Sequence, residues 1–262
     1  MKKTKIVALI LLLSMLTLIL ASCSGKTAEE MLAAADKRLE TKAYSVDVEI
    51  EYTTFDYAVE KIFEQLGETE VEVYVNGDKM RIENESVINY GEGEVLFHNR
   101  YVVINGVVYA DISYTMDGYD NISKAKAPIT EEERLILFEK KSVACGIKAD
   151  DFTTVALHER DKKTVICTGL EDGTDVALEY IMINQLEGAA DKVDLVDASL
   201  TIEMDGGRYD TVLLSCTYNV WISGTSYKVV MDVEMDYDYD GVRIVTPANT
   251  ELYNEISFKD IP

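Results

Sequence analysis

Asp236-Tyr237-Asp238-Tyr239-Asp240-Gly241 opens like a calcium-binding loop, D-x-D-x-D-G, whose spaced carboxylates ligate a hard cation. The twelfth position of that motif wants a bidentate Glu, and this chain has Pro247 there. The acids also continue an alternation that begins at Asp232, so the run reads first as the wet face of a strand. Weak calcium binding by clustered acids is the alternative. The chain has two histidines, His98 and His158, each directly after a large apolar residue on a strand or hairpin pattern. Neither belongs to an HExxH motif, and no nucleophile elbow or Walker loop is present. Gly91-Glu92-Gly93 lacks the strand-to-helix context of a phosphate cradle. Carboxylates are so numerous that no pair is singled out for hydrolytic work. No catalytic residue, metal site or cofactor is assigned, and an enzyme is not the expectation.

The cysteines carry more. Four occur, at 23, 145, 167 and 216. Lys2, Lys3 and Lys5 precede an apolar run from Ile6 to Ala21, and small residues follow, which is the layout of a secretory signal peptide. The run is shorter than the roughly 20 residues that span a bilayer. Leu20-Ala21-Ser22-Cys23 resembles the lipobox of bacterial lipoproteins. That resemblance implies cleavage after residue 22 and a diacylglycerol on Cys23, with further acylation such as palmitate. Two or more acyl chains give stable anchoring where one does not. The expected location is extracytoplasmic, in the cell envelope, with Cys23 holding the chain to the bacterial cell membrane. If Cys23 is acylated, three cysteines remain. Cys167 and Cys216 sit in apolar strand patterns and read as buried free thiols or as a disulfide partner pair.

Removing residues 1–22 takes three lysines and no acid, so the net charge moves from −23 to −26 over 240 residues. A surface this acidic excludes nucleic acid, because nothing neutralises phosphates. It also excludes adhesion to anionic lipid by charge, leaving the acyl anchor as the contact with the membrane. Protein partners are not readable.

The elements follow from periodicity. Residues 23–26 are a short lipidated tether. Thr27 and Glu30 form a capping box, and Ala28, Met31, Leu32, Ala35 and Leu39 make one helical stripe. Tyr44 to Tyr52 alternate as a strand, and Phe55, Val59, Ile62, Phe63 and Leu66 return to helical spacing. Asn76-Gly77 and Asn105-Gly106 mark hairpins. Residues 115–129 show no clear period and are expected to be a long loop that acts as a movable rim. Thr130 and Glu133 form a second capping box, and a hairpin turns near Arg160-Asp161-Lys162. Thr174 is expected to cap a helix that runs to about Glu187, apolar on most sides and therefore buried. Asp205-Gly206-Gly207 and Ser223-Gly224 turn a final meander, ending in Tyr227, Val229, Met231, Val233, Met235, Tyr237 and Tyr239 at strict spacing two. No linker or repeat divides residues 27–262, which read as one domain with ten or eleven antiparallel strands and a few helices.

This order of parts, with "AYSVDVEIEY" near the start and "LTIEMDGGRYDTVLLSCTYNV" and "YKVVMDVEMDYDYDGVRIVTP" near the end, resembles the LolA-like lipoprotein-carrier superfamily. That superfamily includes mycobacterial lipid-carrying lipoproteins and relatives in Gram-positive bacteria. The resemblance implies a mainly β (α+β) fold, a strongly curved antiparallel sheet or half-open barrel around a few helices. It also implies a cavity between sheet and helices that receives a lipid or glycolipid. Family members that chaperone lipoproteins carry no anchor of their own, so an anchored lipid binder fits this chain better. The residues placed to line such a cavity are Met182, Leu186, Met204, Val229, Met231, Val233, Met235 and Tyr237. The other reading is an envelope assembly or interaction module whose interior is filled.

Overall fold

The fold was obtained as a computed structural model that describes residues 26–66, 69–90, 93–116, 118–186 and 189–262. The signal segment and Cys23 lie outside the described residues. Among the described residues, four helices, α1 (Ala28–Thr41), α2 (Tyr57–Leu66), α3 (Glu131–Lys141) and α4 (Thr174–Gln185), accompany a mainly β chain. Its strands are β1 (Tyr44–Thr54), β2 (Thr69–Asn76), β3 (Lys79–Tyr90), β4 (Gly93–Ile104), β5 (Val107–Met116), β6 (Tyr119–Pro128), β7 (Phe152–Leu157), β8 (Thr164–Leu170), β9 (Lys192–Asp205), β10 (Arg208–Ile222), β11 (Thr225–Asp238) and the two-residue β12 (Asn254–Glu255).

All twelve belong to one open, curved sheet in the order β12-β6-β5-β4-β3-β2-β1-β11-β10-β9-β8-β7. Two meanders, β1 to β6 and β7 to β11, are joined where β1 pairs antiparallel with β11, from Ser45↔Asp238 to Thr54↔Val229. Only β12, parallel to β6, breaks the antiparallel pattern. Strict alternation makes the sheet two-faced. Val46, Val48, Met231, Val233, Leu214 and Leu200 face one core, and all four helices contact strands of this sheet.

Turn chemistry fixes the register. Asn105-Gly106, Gly206-Gly207 and Ser223-Gly224 each carry two consecutive residues with positive φ, as tight two-residue hairpins demand. At the first hairpin the turn falls one residue later than the Asn-Gly pair suggests. Asn76 pairs with Lys79, and Gly77, at φ +64°, starts the turn. Both capping boxes form, Thr27 with Glu30 and Thr130 with Glu133.

Two expectations are corrected, and the alternative left open for Cys167 and Cys216 is decided. Residues 115–129 are not a loop: β5 runs to Met116 and β6 pairs with it from Val107↔Pro128 to Met116↔Tyr119. The inward residues of β6 are the small Ala125 and Ala127, too weakly apolar to print a period on the sequence. The helix at 174–185 is not buried all round. Thr174, Leu178 and Met182 are buried, while Val176, Tyr180 and Ile183 are 65%, 48% and 46% exposed. It lies on one face of an open sheet, so it has only one side to bury. Its N-cap is Gly173, in the left-handed region, rather than Thr174. Finally, Cys167 and Cys216 are free thiols. Cys167 pairs across β8–β9 with Leu200, and Cys216 pairs across β10–β9 with Ala198. Two strand spacings, about 10 Å, separate them, beyond the reach of a disulfide.

Candidate functional site

A cavity of about 450 Å³ opens between α1, α3 and the apolar face of the sheet. Its floor is Tyr44 and Val46 of β1, Val75 of β2 and Tyr237 of β11, and its walls include Leu39 of α1 and Phe138 of α3. The rim is polar, with Asp36, Glu40, Arg134, Glu139 and Lys148. Apolar depth with a few convergent polar groups is the usual make-up of a small-molecule site.

The surroundings are tyrosine-rich. Tyr237 stacks on Tyr44 with ring centroids 6.1 Å apart and meets Tyr209 at 5.5 Å. Tyr209 donates its hydroxyl hydrogen to Asp36 Oδ1 at 2.6 Å, tying α1 to the sheet beside the cavity. Burial is the main reason that the hydroxyls of Tyr44 and Tyr237 titrate well above the ordinary tyrosine range. Both stay neutral at physiological pH. Cys145, which also lines the cavity, has its thiol pushed up to about 12 by burial. A thiol so raised is a poor nucleophile. The site is therefore uncharged at depth and charged at its mouth.

Tyr237 is the sequence-assigned residue that reaches this cavity. Met182, Leu186, Met204, Val229, Met231, Val233 and Met235 lie in the packed core, each at most 3% exposed, and none borders the cavity. Alternation reports that a face is covered, and here α1, α2 and α4 pack on it. Tyr218 shows how tightly: its hydroxyl donates to the Leu178 carbonyl of α4 at 3.0 Å. The lining residues missed by sequence reading, Leu39, Val75, Phe138 and Cys145, come from four separate segments. Each carries an apolar signal that says core, and only helix placement makes them a wall.

The acidic run at 232–240 is strand β11 followed by a turn. Thr211 Oγ1 donates to Asp236 Oδ1 at 2.7 Å, and the Asp240 amide donates to Asp238 Oδ1 at 3.0 Å. Among the described residues, no group of three or more His, Cys, Asp or Glu is arranged to hold a metal. His98 lies 3.8 Å from Glu85, and His158 Nδ1 accepts from the Asp161 amide at 3.2 Å.

No family model and no curated protein matches this chain. Among solved structures, it is similar to polyketide dehydratases only at low scores. The bifunctional dehydratase-cyclase domain in ambruticin biosynthesis aligns at 8% identity over 73% of this chain and 91% of its own, with a TM-score of 0.18. An inactive mutant of the CurK dehydratase aligns at 9% identity over 79% and 80%, with a TM-score of 0.20. An N-terminal dehydratase from the difficidin assembly line aligns at 12% identity over 84% and 83%, with a TM-score of 0.19. Scores this low carry no argument about this fold or its chemistry.

Proposed function

We propose that this chain is an extracytoplasmic lipoprotein, anchored to the bacterial cell membrane through Cys23, that binds an apolar or lipid-like ligand. The ligand site is the cavity between α1, α3 and the sheet, within a half-open barrel of the LolA-like kind. One observation carries the reading: a cavity of about 450 Å³ with an apolar floor and a polar rim, between two helices and the apolar face of a large open sheet. The function is binding without catalysis.

The anchor supports the placement. From Cys23 to Thr27 the chain can span at most about 14 Å. Leu39 lies a further 17 Å or so along α1 from Ala28. Acyl chains leaving the bilayer would therefore meet the cavity within about 30 Å of the surface.

Two measurements test this. Cys23→Ala should leave an uncut precursor without lipid label, and normal processing of that variant would remove the anchor from the proposal. The purified protein should bind a fluorescent long-chain fatty acid. Leu135→Trp, a change at a half-exposed position of α3 on the cavity wall, should weaken binding about tenfold or more with little change in Tm. If no fatty acid binds, the second reading gains: an envelope interaction module with a filled core. The observation in its favour is the uncovered apolar side of α4, Val176, Tyr180 and Ile183.

A further inference from the structure

Tyr52 Oη, Asn84 Oδ1 and Asn99 Oδ1 are buried and have no hydrogen-bond partner among the described residues. All three residues line a second cavity, about 350 Å³, where β1, β3 and β4 meet the C-terminal end of α3 and the last turn of α4. Asn84 and Asn99 are directly opposed across β3–β4. Their neighbours along the same face are the pair Ile82↔Tyr101 on one side and Ser86↔Phe97 on the other. An opposed asparagine pair on a core-facing surface costs stability when its oxygens are unmatched. Folding gains nothing from it that Val or Ile would not supply.

The charge of this cavity is opposite to that of the chain. Among the described residues, Lys140 and Lys141 line it and no acid does, although the sequence has 48 acids to 25 Lys and Arg. Lys141 places its ammonium 5.1 Å from the Tyr101 ring centroid. Burial first, and then the charge of Lys140, pull Lys141 below the usual lysine range. Carbonyls at a helix end repel anions. Here two are capped: Asn84 Nδ2 donates to the Lys141 carbonyl at 3.2 Å, and Ser142 Oγ to the Phe138 carbonyl at 2.6 Å. Thr69, Ser86, Asn184 and Gln185 add hydroxyls and amides around the space.

We infer that this second cavity binds the phosphate ester of a polyol, with the phosphate against Lys141 and hydroxyl groups donating to Asn84 Oδ1 and Asn99 Oδ1. Inorganic phosphate alone leaves the two amide oxygens without donors. A neutral polyol leaves the half-buried ammonium without a counter-charge. Tyr52 Oη, able to donate or accept, serves either part. The inference does not rest on the fatty-acid reading, because Leu135 and Phe138 line the first cavity whereas Lys140 and Lys141 line this one.

The polyol phosphate has two sources, a free metabolite or a phospholipid head group. The inner face of the sheet continues from Phe97 to Tyr114, Met116 and Tyr119, which are 40%, 50% and 77% exposed. That apolar apron gives a lipid additional contact and gives a free polyol phosphate none.

Titration calorimetry of the purified protein with glycerol 3-phosphate, glycerol, inorganic phosphate and dihexanoyl phosphatidylglycerol tests the site. Glycerol 3-phosphate should bind with one-to-one stoichiometry, about tenfold or more tighter than glycerol or phosphate. Lys141→Met should weaken it by a similar factor. Asn99→Val should weaken it too, yet raise Tm, since it removes an unmatched oxygen from the sheet face. Opposite signs for binding and stability are what a merely structural residue does not give, and Asn99→Val carries the test even if Lys141→Met fails to fold. Dihexanoyl phosphatidylglycerol binding tighter than glycerol 3-phosphate, with the difference lost in Met116→Ser, assigns the head-group source; equal binding assigns the free ester. The inference falls if glycerol 3-phosphate does not bind at millimolar concentration, if glycerol binds as well, or if Asn99→Val leaves binding unchanged.

Discussion

Asp47 stands between Asp236 of β11 and Glu72 of β2, and Glu72 in turn faces Glu83 of β3. Two residues along, Glu234, Glu49, Glu70 and Glu85 form a parallel row. Carboxylates directly opposed across strands destabilise a sheet. Asp47 records it: burial first, then Glu72 and Asp236, raise its pKa above the ordinary value. The sign follows from linkage. A carboxyl raised in the folded state favours folding most below the unfolded value of about 3.9, and that contribution is lost as pH rises through the folded value. Glu49→Lys, placed between Glu234 and Glu70, should therefore stabilise the protein at pH 7 by about 0.5–1 kcal/mol at low salt. The gain should fade at about 0.5 M NaCl in urea titrations. Equal stability of variant and parent at low salt would deny the repulsion. Asp111 is the counterpart. Burial would raise it, but the nearby Tyr253 hydroxyl, the hydrogen bond from Arg100 and the charges of Arg100 and Lys124 outweigh burial and hold it below the carboxylate range. Its contribution is present above the unfolded value and is lost on acidification through the folded one. Asp111→Asn should cost about 1–3 kcal/mol at pH 7. The difference from the parent should shrink as pH falls below about 4, followed by thermal melts across that window.

At the scale of elements, what the sequence conveys is periodicity and turn chemistry. The run Tyr227 to Tyr239 predicts β11 because seven large apolar residues at spacing two have no other reading. The 115–129 segment failed because its period rests on two alanines, and its pairing with β5 supplies the order that its side chains do not. The reading of α4 failed for the opposite reason. Apolar residues on every side imply a buried helix only when something lies on every side. Leu178 and Met182 meet the sheet, and Val176 meets water. Leu178→Ala should thus cost about 2–5 kcal/mol in chemical denaturation, while Val176→Ser should stay within about 0.5 kcal/mol. Comparable losses would mean that both sides of α4 are covered. The same limit explains the candidate site. Apolar alternation named Met231, Val233 and Met235 because it measures coverage, and it cannot say whether the cover is a helix or a ligand. Phe138 and Leu39 border the cavity because α3 and α1 both contribute to its wall, a matter of helix placement.

At the scale of the molecule, the open sheet has to manage two edges. Beyond β11 the chain crosses the outer face, where Ile244 is buried with Val102 and Ile104. Tyr253 then meets Tyr109 edge-on at 5.4 Å, and β12 lies parallel along β6. The Ile256 amide donates to the Lys126 carbonyl at 3.0 Å, and Lys126 is 3.3 Å from Glu255. The segment continues to the inner face, where Phe258 and Ile261 join the main core. Tyr101, neighbour of Asn99 on β4, donates its hydroxyl hydrogen to the Pro262 carbonyl at 2.8 Å. Residues 242–262 are thus a strap that runs from the outer face around β6 to the inner one. Three proline positions in the whole sequence, two of them in this strap, gave no sign of it. An uncovered strand edge is a template for pairing with another chain. Deleting 242–262 should leave β6 unpaired on one side and the outer patch of Val102, Ile104 and Tyr109 in water. Concentration-dependent association in sedimentation velocity is the expected result, together with a lower Tm. Ile256→Pro removes only the amide that bonds to Lys126, and should bring on weaker association without disturbing Ile244. A deletion variant that stays monomeric across the concentration range would show that β6 protects its own edge, and that the strap only covers apolar surface.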